Sequence, residues 1–119
     1  NLDLKKTYQG IAVSSGNSFV HETESQVILN GSYNINFTMD LVVKDTSLFD
    51  NLSKKLNSNL ELSPIISDIF KDGEKKYGKR AWSSMIVKRM EDKNNIEFRA
   101  KGFPAELTDN EPEEKGFEI

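Results

Sequence analysis

The sequence contains no cysteine, a single histidine and no long apolar run. Without cysteine there is no disulfide framework, zinc ribbon or cysteine nucleophile. One histidine, His21, and no aspartate-rich loop of calcium-binding spacing predict no metal site. No apolar stretch approaches the roughly 18–20 residues of a membrane span, and the first residues lack the apolar core of a signal peptide. These absences predict a cytoplasmic protein that does not contact a membrane.

The common catalytic motifs are also missing. Neither of the glycine-rich phosphate loops, G-x-x-x-x-G-K-[ST] and G-x-G-x-x-G, occurs in the sequence. Ser83 and Ser84 lack the G-x-S-x-G context of a serine hydrolase. His21 is adjacent to Glu22, but neighbouring residues of a strand point to opposite faces, so the two would diverge. The sequence therefore predicts a protein that is not an enzyme and that uses no cofactor.

The residues that are present suit one small globular domain rich in β-structure. The 119 residues amount to a single domain. Every second residue from Tyr33 to Val43 is apolar, and Asn34, Asn36, Thr38 and Asp40 lie between them, which is the period of a strand with one buried face. Asn30-Gly31 precedes them, and this dipeptide favours the type I′ turn of a hairpin. Together with shorter apolar runs, the pattern predicts strands at 8–13, 19–29, 33–43, 81–90 and 96–102.

A helical segment is predicted between the third and fourth strands. Apolar residues from Leu48 to Leu56 follow a helical spacing after Ser47. Ser63-Pro64 has the N-cap and N1 residues of a second helix, which Gly78 would end. Three strands, a helical segment and two strands resemble the order of the OB fold. The expected fold class is therefore mainly β: an OB-like five-stranded Greek-key barrel at 1–107, followed by an acidic flexible tail at 108–119.

Charge is distributed unevenly along the chain. Residues 71–101 carry 10 basic and 5 acidic side chains, whereas residues 106–119 carry 1 basic and 6 acidic ones. Aromatic residues lie among the basic ones, at Tyr77 and Trp82. Cations neutralise phosphates and aromatic rings stack on unpaired bases, so this segment is typical of a surface that binds single strands of nucleic acid.

The element order, the basic segment and an acidic end that carries Phe117 and Ile119 resemble the short single-stranded DNA-binding proteins of phages of Gram-positive bacteria. This resemblance implies sequence-independent binding of single-stranded DNA in replication or recombination, and a homo-oligomer, either a dimer or a tetramer. It also implies that the tail binds replication or recombination proteins through Glu113, Glu114, Phe117 and Ile119. The nucleic-acid contacts that we predict are Phe19, Tyr33 and Trp82 for stacking, and Lys79, Arg80, Lys88, Arg89, Arg99 and Lys101 for phosphates.

An alternative from another class stays open. The run from Phe70 to Phe98 faintly resembles small immunity or antitoxin proteins of Gram-positive toxin systems. Such a protein binds one partner toxin and performs no chemistry, and its acidic surface would face a basic nuclease.

Overall fold

The computed structural model describes residues 2–107 and residue 116. In this part of the chain the regular elements are α-helices and one 3-10 helix, and there is no strand. Two isolated bridges, Asn34 with Glu106 and Thr38 with Trp82, are the β-type pairings. In chain order the elements are α1 (Leu4–Ala12), α2 (Phe19–Asn30), α3 (Met39–Lys55), α4 (Ser63–Tyr77), the 3-10 helix (Ser83–Val87) and α5 (Lys88–Asn94).

The first two helices begin and end at local signals. The Asp3 carboxylate accepts a hydrogen bond from the Lys6 amide at 3.1 Å, and the Ser18 hydroxyl accepts one from the His21 amide at 3.0 Å. Both are N-cap contacts, which satisfy amides that have no partner inside the helix. Gly31 ends α2 with a φ of 94°, a left-handed conformation that glycine adopts without strain.

The prediction of a mainly β, OB-like barrel is wrong. The expected strands at 8–13 and 19–29 lie in α1 and α2, and residues 33–43 are divided between a loop and the start of α3. The expected strand at 81–90 is the 3-10 helix and the beginning of α5, and residues 96–102 form neither helix nor strand. Gly31 has a positive φ, but Asn30 is the last residue of α2, so the dipeptide ends a helix and does not form the predicted type I′ turn.

The helical segment is confirmed in its second half. Helix α4 starts at Ser63 with Pro64 in its first turn, and Gly78 follows its last residue with a φ of 102°. The N-cap position is held by Leu62 and not by Ser63 as predicted. Helix α3 contains the predicted apolar stripe but begins at Met39, well before Ser47.

Helices α3 and α4 form an antiparallel hairpin. Near its tip the Ser63 hydroxyl donates a hydrogen bond to the Asp50 carboxylate at 2.9 Å. At the other end a Cβ atom placed on Gly73 would lie 3.4 Å from the Met39 sulfur and 2.6 Å from Cδ1 of Ile86. A glycine at this position therefore lets α3 and the 3-10 helix approach α4 closely. The buried apolar core is small and consists of Val27, Leu29, Tyr33 and Met39.

Candidate functional site

A cleft of about 530 Å³ opens between α2, the hairpin and the 3-10 helix. Most of its wall is apolar, as is usual for sites that bind small molecules. Ser18 and Ser83 contribute hydroxyl groups near its ends. The apolar lining consists of Val20, Ile28, Phe37, Val42, Phe70, Ile86 and Val87.

Polar side chains of α2 form one side of the cleft. His21 is held in place from both ring nitrogens, at 3.0 Å between Nε2 and the Tyr8 carbonyl oxygen and at 3.2 Å between Nδ1 and the Ser25 hydroxyl. The Tyr8 ring also lies beside the imidazole, with centroids 4.9 Å apart. Glu24 lines the same side and is half-buried. His21, Glu24 and Ser25 thus place polar groups on one side of a cavity whose wall is mostly apolar.

Burial raises the pKa of Glu24 above its ordinary value, because desolvation disfavours the charged carboxylate. A raised pKa in the folded state means that folding favours the protonated form. The contribution of this group to stability is therefore complete below the pKa of the unfolded chain, and it is lost as pH rises through the folded pKa.

Replacing Glu24 with glutamine should therefore stabilise the protein at pH 7. We expect a gain of less than about 1 kcal/mol, because solvent screens a half-buried group. The gain should shrink as pH falls towards 4, which urea unfolding at several pH values would measure. Glu97→Gln at an exposed position is the matched control. If the difference in free energy of unfolding between Glu24→Gln and the parent did not change with pH, the raised pKa of Glu24 would be contradicted.

A second polar cluster is buried on the other side of the core and joins residues far apart in sequence. Glu91, which is 2% exposed, accepts hydrogen bonds from the Tyr33 hydroxyl at 2.5 Å and from the Arg99 guanidinium at 2.8 Å. The Phe98 amide donates to the same carboxylate at 2.8 Å, and Arg99 also reaches the Tyr33 oxygen at 2.7 Å. The acceptor sites of the carboxylate are thus well used, which is the condition under which a buried charge is tolerated.

The pKa values in this cluster follow from its contacts. Burial raises the pKa of Tyr33 to about 12, and its hydrogen bond to Glu91 adds to the effect. Burial also acts to raise the pKa of Glu91, but hydrogen bonds from Tyr33, the Phe98 amide and Arg99 outweigh it and lower that pKa overall. At neutral pH the cluster therefore consists of a phenol, a carboxylate and a guanidinium, and it fixes residues after α5 to the α2–α3 loop.

The aromatic residues predicted to stack on bases do not lie together. Phe19 is 77% exposed at the start of α2, whereas Tyr33 is 5% exposed inside the buried cluster. Trp82 is half-buried before the 3-10 helix, where its backbone pairs with Thr38. The Tyr33 ring is buried, and the Arg99 guanidinium lies over one of its faces at 5.2 Å from the ring centroid.

Most of the predicted phosphate-binding cations have acidic partners. Arg80 pairs with Asp40 at 3.3 Å, and Arg89 with Asp72 at 2.8 Å. Arg99 pairs with Glu91, and Lys88 lies 3.7 Å from Asp92. Lys79 and Lys101 are exposed and make no ion pair with another described residue. Whether any of these side chains contacts a ligand stays a prediction.

The predicted tail contacts Glu113, Glu114, Phe117 and Ile119 lie outside the described residues. The boundary between residues 107 and 108 therefore also stays a prediction. Within residues 2–107, no three histidine, aspartate or glutamate side chains come together in a group that could hold a metal ion. None of the helices in this range is long and apolar enough to cross a membrane.

Comparison with known protein families identifies the family of this chain. Residues 1–90, about three quarters of the chain, match the family described as NAD-binding of NADP-dependent 3-hydroxyisobutyrate dehydrogenase. The chain belongs to this family. Comparison with curated proteins finds no match, and neither does comparison with solved structures.

Membership of this dehydrogenase family corrects the predicted function. The chain is not a single-stranded DNA-binding protein of the OB class, and neither the fold nor the family supports an antitoxin. That resemblance was the basis for predicting a DNA partner, replication or recombination proteins as partners, and a homo-oligomer. Without it, these partner predictions have no support. The prediction of no enzymatic role also conflicts with the family, which is a domain of an enzyme.

A whole dinucleotide does not fit the residues described here. Known dinucleotide sites commonly place the pyrophosphate on a glycine-rich turn between a strand and a helix, and residues 2–107 contain no strand. No lysine or arginine lines the cleft, and its one acidic residue, Glu24, would repel a phosphate when ionised. Its apolar wall and few hydrogen-bonding groups do fit a flat ring that carries an amide. The cleft therefore suits the nicotinamide end alone.

Proposed function

We propose that this chain is a helical module of a nicotinamide-dependent dehydrogenase, and that its cleft forms one wall of the cofactor site. The family match carries the proposal, because every residue that lines the cleft lies between 18 and 87, inside the matched range. The fold alone would not suggest a dinucleotide.

The chain's own residues would bind and shield one end of the cofactor. Val20, Ile28 and Phe37 offer apolar contacts to the faces of a ring, and the Ser25 hydroxyl, which contacts His21 Nδ1, keeps capacity for a second hydrogen bond to a carboxamide. A bound nicotinamide supplies hydride transfer, which an apolar wall favours by excluding water. The pyrophosphate and the adenosine would be held by groups outside this cleft. On this proposal the chain takes part in enzyme chemistry without holding the whole cofactor.

Chemical-shift perturbation of the isotope-labelled chain tests the proposal. Nicotinamide mononucleotide and NADPH should both shift amides of the cleft residues, with weak affinity in the millimolar range because only part of the cofactor is held. ADP-ribose has no nicotinamide and should leave those amides unchanged. The measurement therefore reports which end of the cofactor the cleft binds.

Two valine variants provide the matched pair. Val20 lines the cleft and is 57% exposed, so Val20→Glu should abolish the shifts without unfolding the chain. Val13 is 89% exposed at the end of α1 and does not line the cleft, so Val13→Glu should leave the shifts intact. No shift at the cleft with either nicotinamide ligand, or equal shifts with ADP-ribose, would refute the proposal.

A further inference from the structure

The Glu24 carboxyl lies in the wall of the cleft without a partner. Glu24 lines the cleft and is half-buried, and it makes no hydrogen bond or ion pair with another described residue. The contrast is Glu91, whose buried carboxylate accepts hydrogen bonds from a phenol, a guanidinium and a backbone amide. Burial without such donors raises the pKa of Glu24, because the charged form has lost part of its water and gained nothing in return. A positive charge on a ligand would supply what this carboxyl lacks.

Glu24 stands in the middle of the apolar stripe that α2 contributes to the cleft. Val20, Glu24 and Ile28 are spaced by four residues, so they follow one another on one face of the helix, and all three line the cleft. A spacing of four residues is a rise of about 6 Å along the helix axis. A flat ring held against Val20 or Ile28 therefore lies within about one helical turn of the Glu24 carboxyl.

No cation in the described part of the cleft wall neutralises Glu24. The lining contains no lysine or arginine. The residues that come from the α2–α3 loop, the hairpin and the 3-10 helix include no acidic, basic or histidine side chain. Burial alone raises the pKa of Glu24, with no charged neighbour adding to the effect or opposing it. The negative charge of the ionised carboxylate is therefore open to interaction with a ligand.

His21 is the second titratable side chain of the wall, and the neutral imidazole satisfies both of its contacts. The Tyr8 carbonyl oxygen can only accept, so Nε2, at 3.0 Å from it, carries a proton and donates it. Nδ1 lies 3.2 Å from the Ser25 hydroxyl, which can donate to it. Both ring nitrogens are then satisfied without a second proton. We therefore assign His21 no charge that would compete with a ligand for Glu24.

Two aromatic side chains of the lining favour a cation as well. Phe37 and Phe70 both belong to the cleft wall. The face of a phenyl ring carries negative charge density, and a ring face turned towards a ligand attracts a positive charge within about 6 Å. The carboxylate and the phenyl rings thus suit the same kind of ligand, which is a flat ring that carries a positive charge.

The two forms of a nicotinamide cofactor differ in the charge of this ring. The oxidised ring is a positively charged pyridinium, whereas the reduced ring is an uncharged dihydropyridine. Opposite charges attract more strongly beside an apolar wall than in bulk water. An uncharged ring would instead displace water from the Glu24 carboxylate and return no interaction. Both effects favour binding of the oxidised ring.

We propose that Glu24 makes the cleft select the oxidised, positively charged nicotinamide ring over the reduced, uncharged one. This inference rests on the proposed function, because it concerns the same cleft and the same end of the cofactor. Val20 and Ile28 contact the ring whatever its charge, and the Glu24 carboxylate between them distinguishes the two forms. The module thereby retains the form that accepts a hydride and releases more readily the form that has received one.

Chemical-shift titration of the isotope-labelled full chain with two small rings tests the inference. The probes are the nicotinamide cation methylated on its ring nitrogen and the uncharged dihydro form of the same molecule. At a pH of about 8, where Glu24 is ionised, the cation should bind at least about fivefold more tightly than the dihydro form.

Two glutamine variants localise the selectivity. Glu24→Gln should reduce the ratio of the two affinities to less than about twofold, and it should fold, since the carboxylate that it removes has no partner. Glu97→Gln removes the same charge at an exposed position outside the cleft and should leave the ratio unchanged.

Acid should weaken the preference for the cation. As pH falls from about 8 to about 5, the Glu24 carboxyl takes up a proton more readily than an exposed one, because burial disfavours its charge. The difference in affinity for the cation between the parent and Glu24→Gln should therefore narrow. His21 is present in both proteins, so any protonation of its ring cancels in the comparison.

The outcomes separate this inference from the proposed function. If both rings shift the cleft amides with equal affinity, or if Glu24→Gln keeps the preference for the cation, the inference is wrong and the nicotinamide site stands. If neither ring shifts those amides at either pH, the proposed function is wrong, and the inference is refuted with it.

Discussion

Glu91→Ala is expected to destabilise the protein by about 3–5 kcal/mol, which is the usual cost of breaking a buried ion pair by removing one partner. The change leaves the Arg99 guanidinium and the Tyr33 hydroxyl without their acceptor, and it also removes the acceptor of the Phe98 amide. Residues after α5 would then lose their attachment to the α2–α3 loop. Urea unfolding followed by the fluorescence of Trp82 would measure the loss.

The pH dependence of the same variant gives a second measurement. Because the pKa of Glu91 is lowered in the folded state, its contribution is present above its ordinary pKa of 4.5 and is lost as pH falls through the folded value. The difference between the parent and Glu91→Ala should therefore be largest near neutral pH and narrow in acid. Glu97→Ala, at an exposed position outside the buried cluster, should cost less than about 0.5 kcal/mol. Equal effects of the two alanines would show that the cluster contributes nothing specific.

Met39→Ala should cost about 2–5 kcal/mol, the range for truncating a fully buried methionine. Met39 is 0% exposed at the first residue of α3, where its sulfur approaches Gly73 of α4. Truncation leaves a cavity between the two helices and the 3-10 helix. Helices fixed by such close contact cannot collapse fully around the space. Thermal or urea unfolding of the variant would give the loss.

Met90→Ala provides the matched control for this substitution. Met90 is 53% exposed on α5, so its truncation should change the free energy of unfolding by less than about 0.5 kcal/mol. Similar losses at the two positions would mean that the hairpin does not depend on the contact between Met39 and Gly73.

The wrong strand predictions have a common physical origin. The alternating residues 33–43 belong to two different structures. A loop that buries Tyr33 is followed directly by the first turn of α3, and neither part is a strand. Over so few residues, alternation and helical spacing share several positions: Met39 and Val43 satisfy both periods. Tertiary contacts then decide between them. Here α4 and the 3-10 helix bury Met39, which favours the helical register.

The cleft could not be predicted from local patterns. Its wall comes from residues between Ser18 and Val87, which are contributed by four separate elements. His21 appeared to be an isolated side chain on a strand, whereas the helix α2 places it beside Ser25, one turn later, and next to Tyr8 of α1. The signal that could have indicated this is the i, i+4 spacing of His21 and Ser25, which has meaning only once the segment is known to be helical.

Local features whose causes lie within a few residues follow from the sequence alone. Ser63-Pro64 and Gly78 bound α4 because a proline fits the first turn of a helix and a glycine accepts the positive φ that ends one. The choice of core side chains, the pairing of charges and the position of the cavity arise only when the helices pack together. Those outcomes depend on contacts such as Tyr33 with Glu91, 58 residues apart, and no local period encodes such a distance. The burial of a few side chains and the exposure of others are therefore properties of the assembled helices.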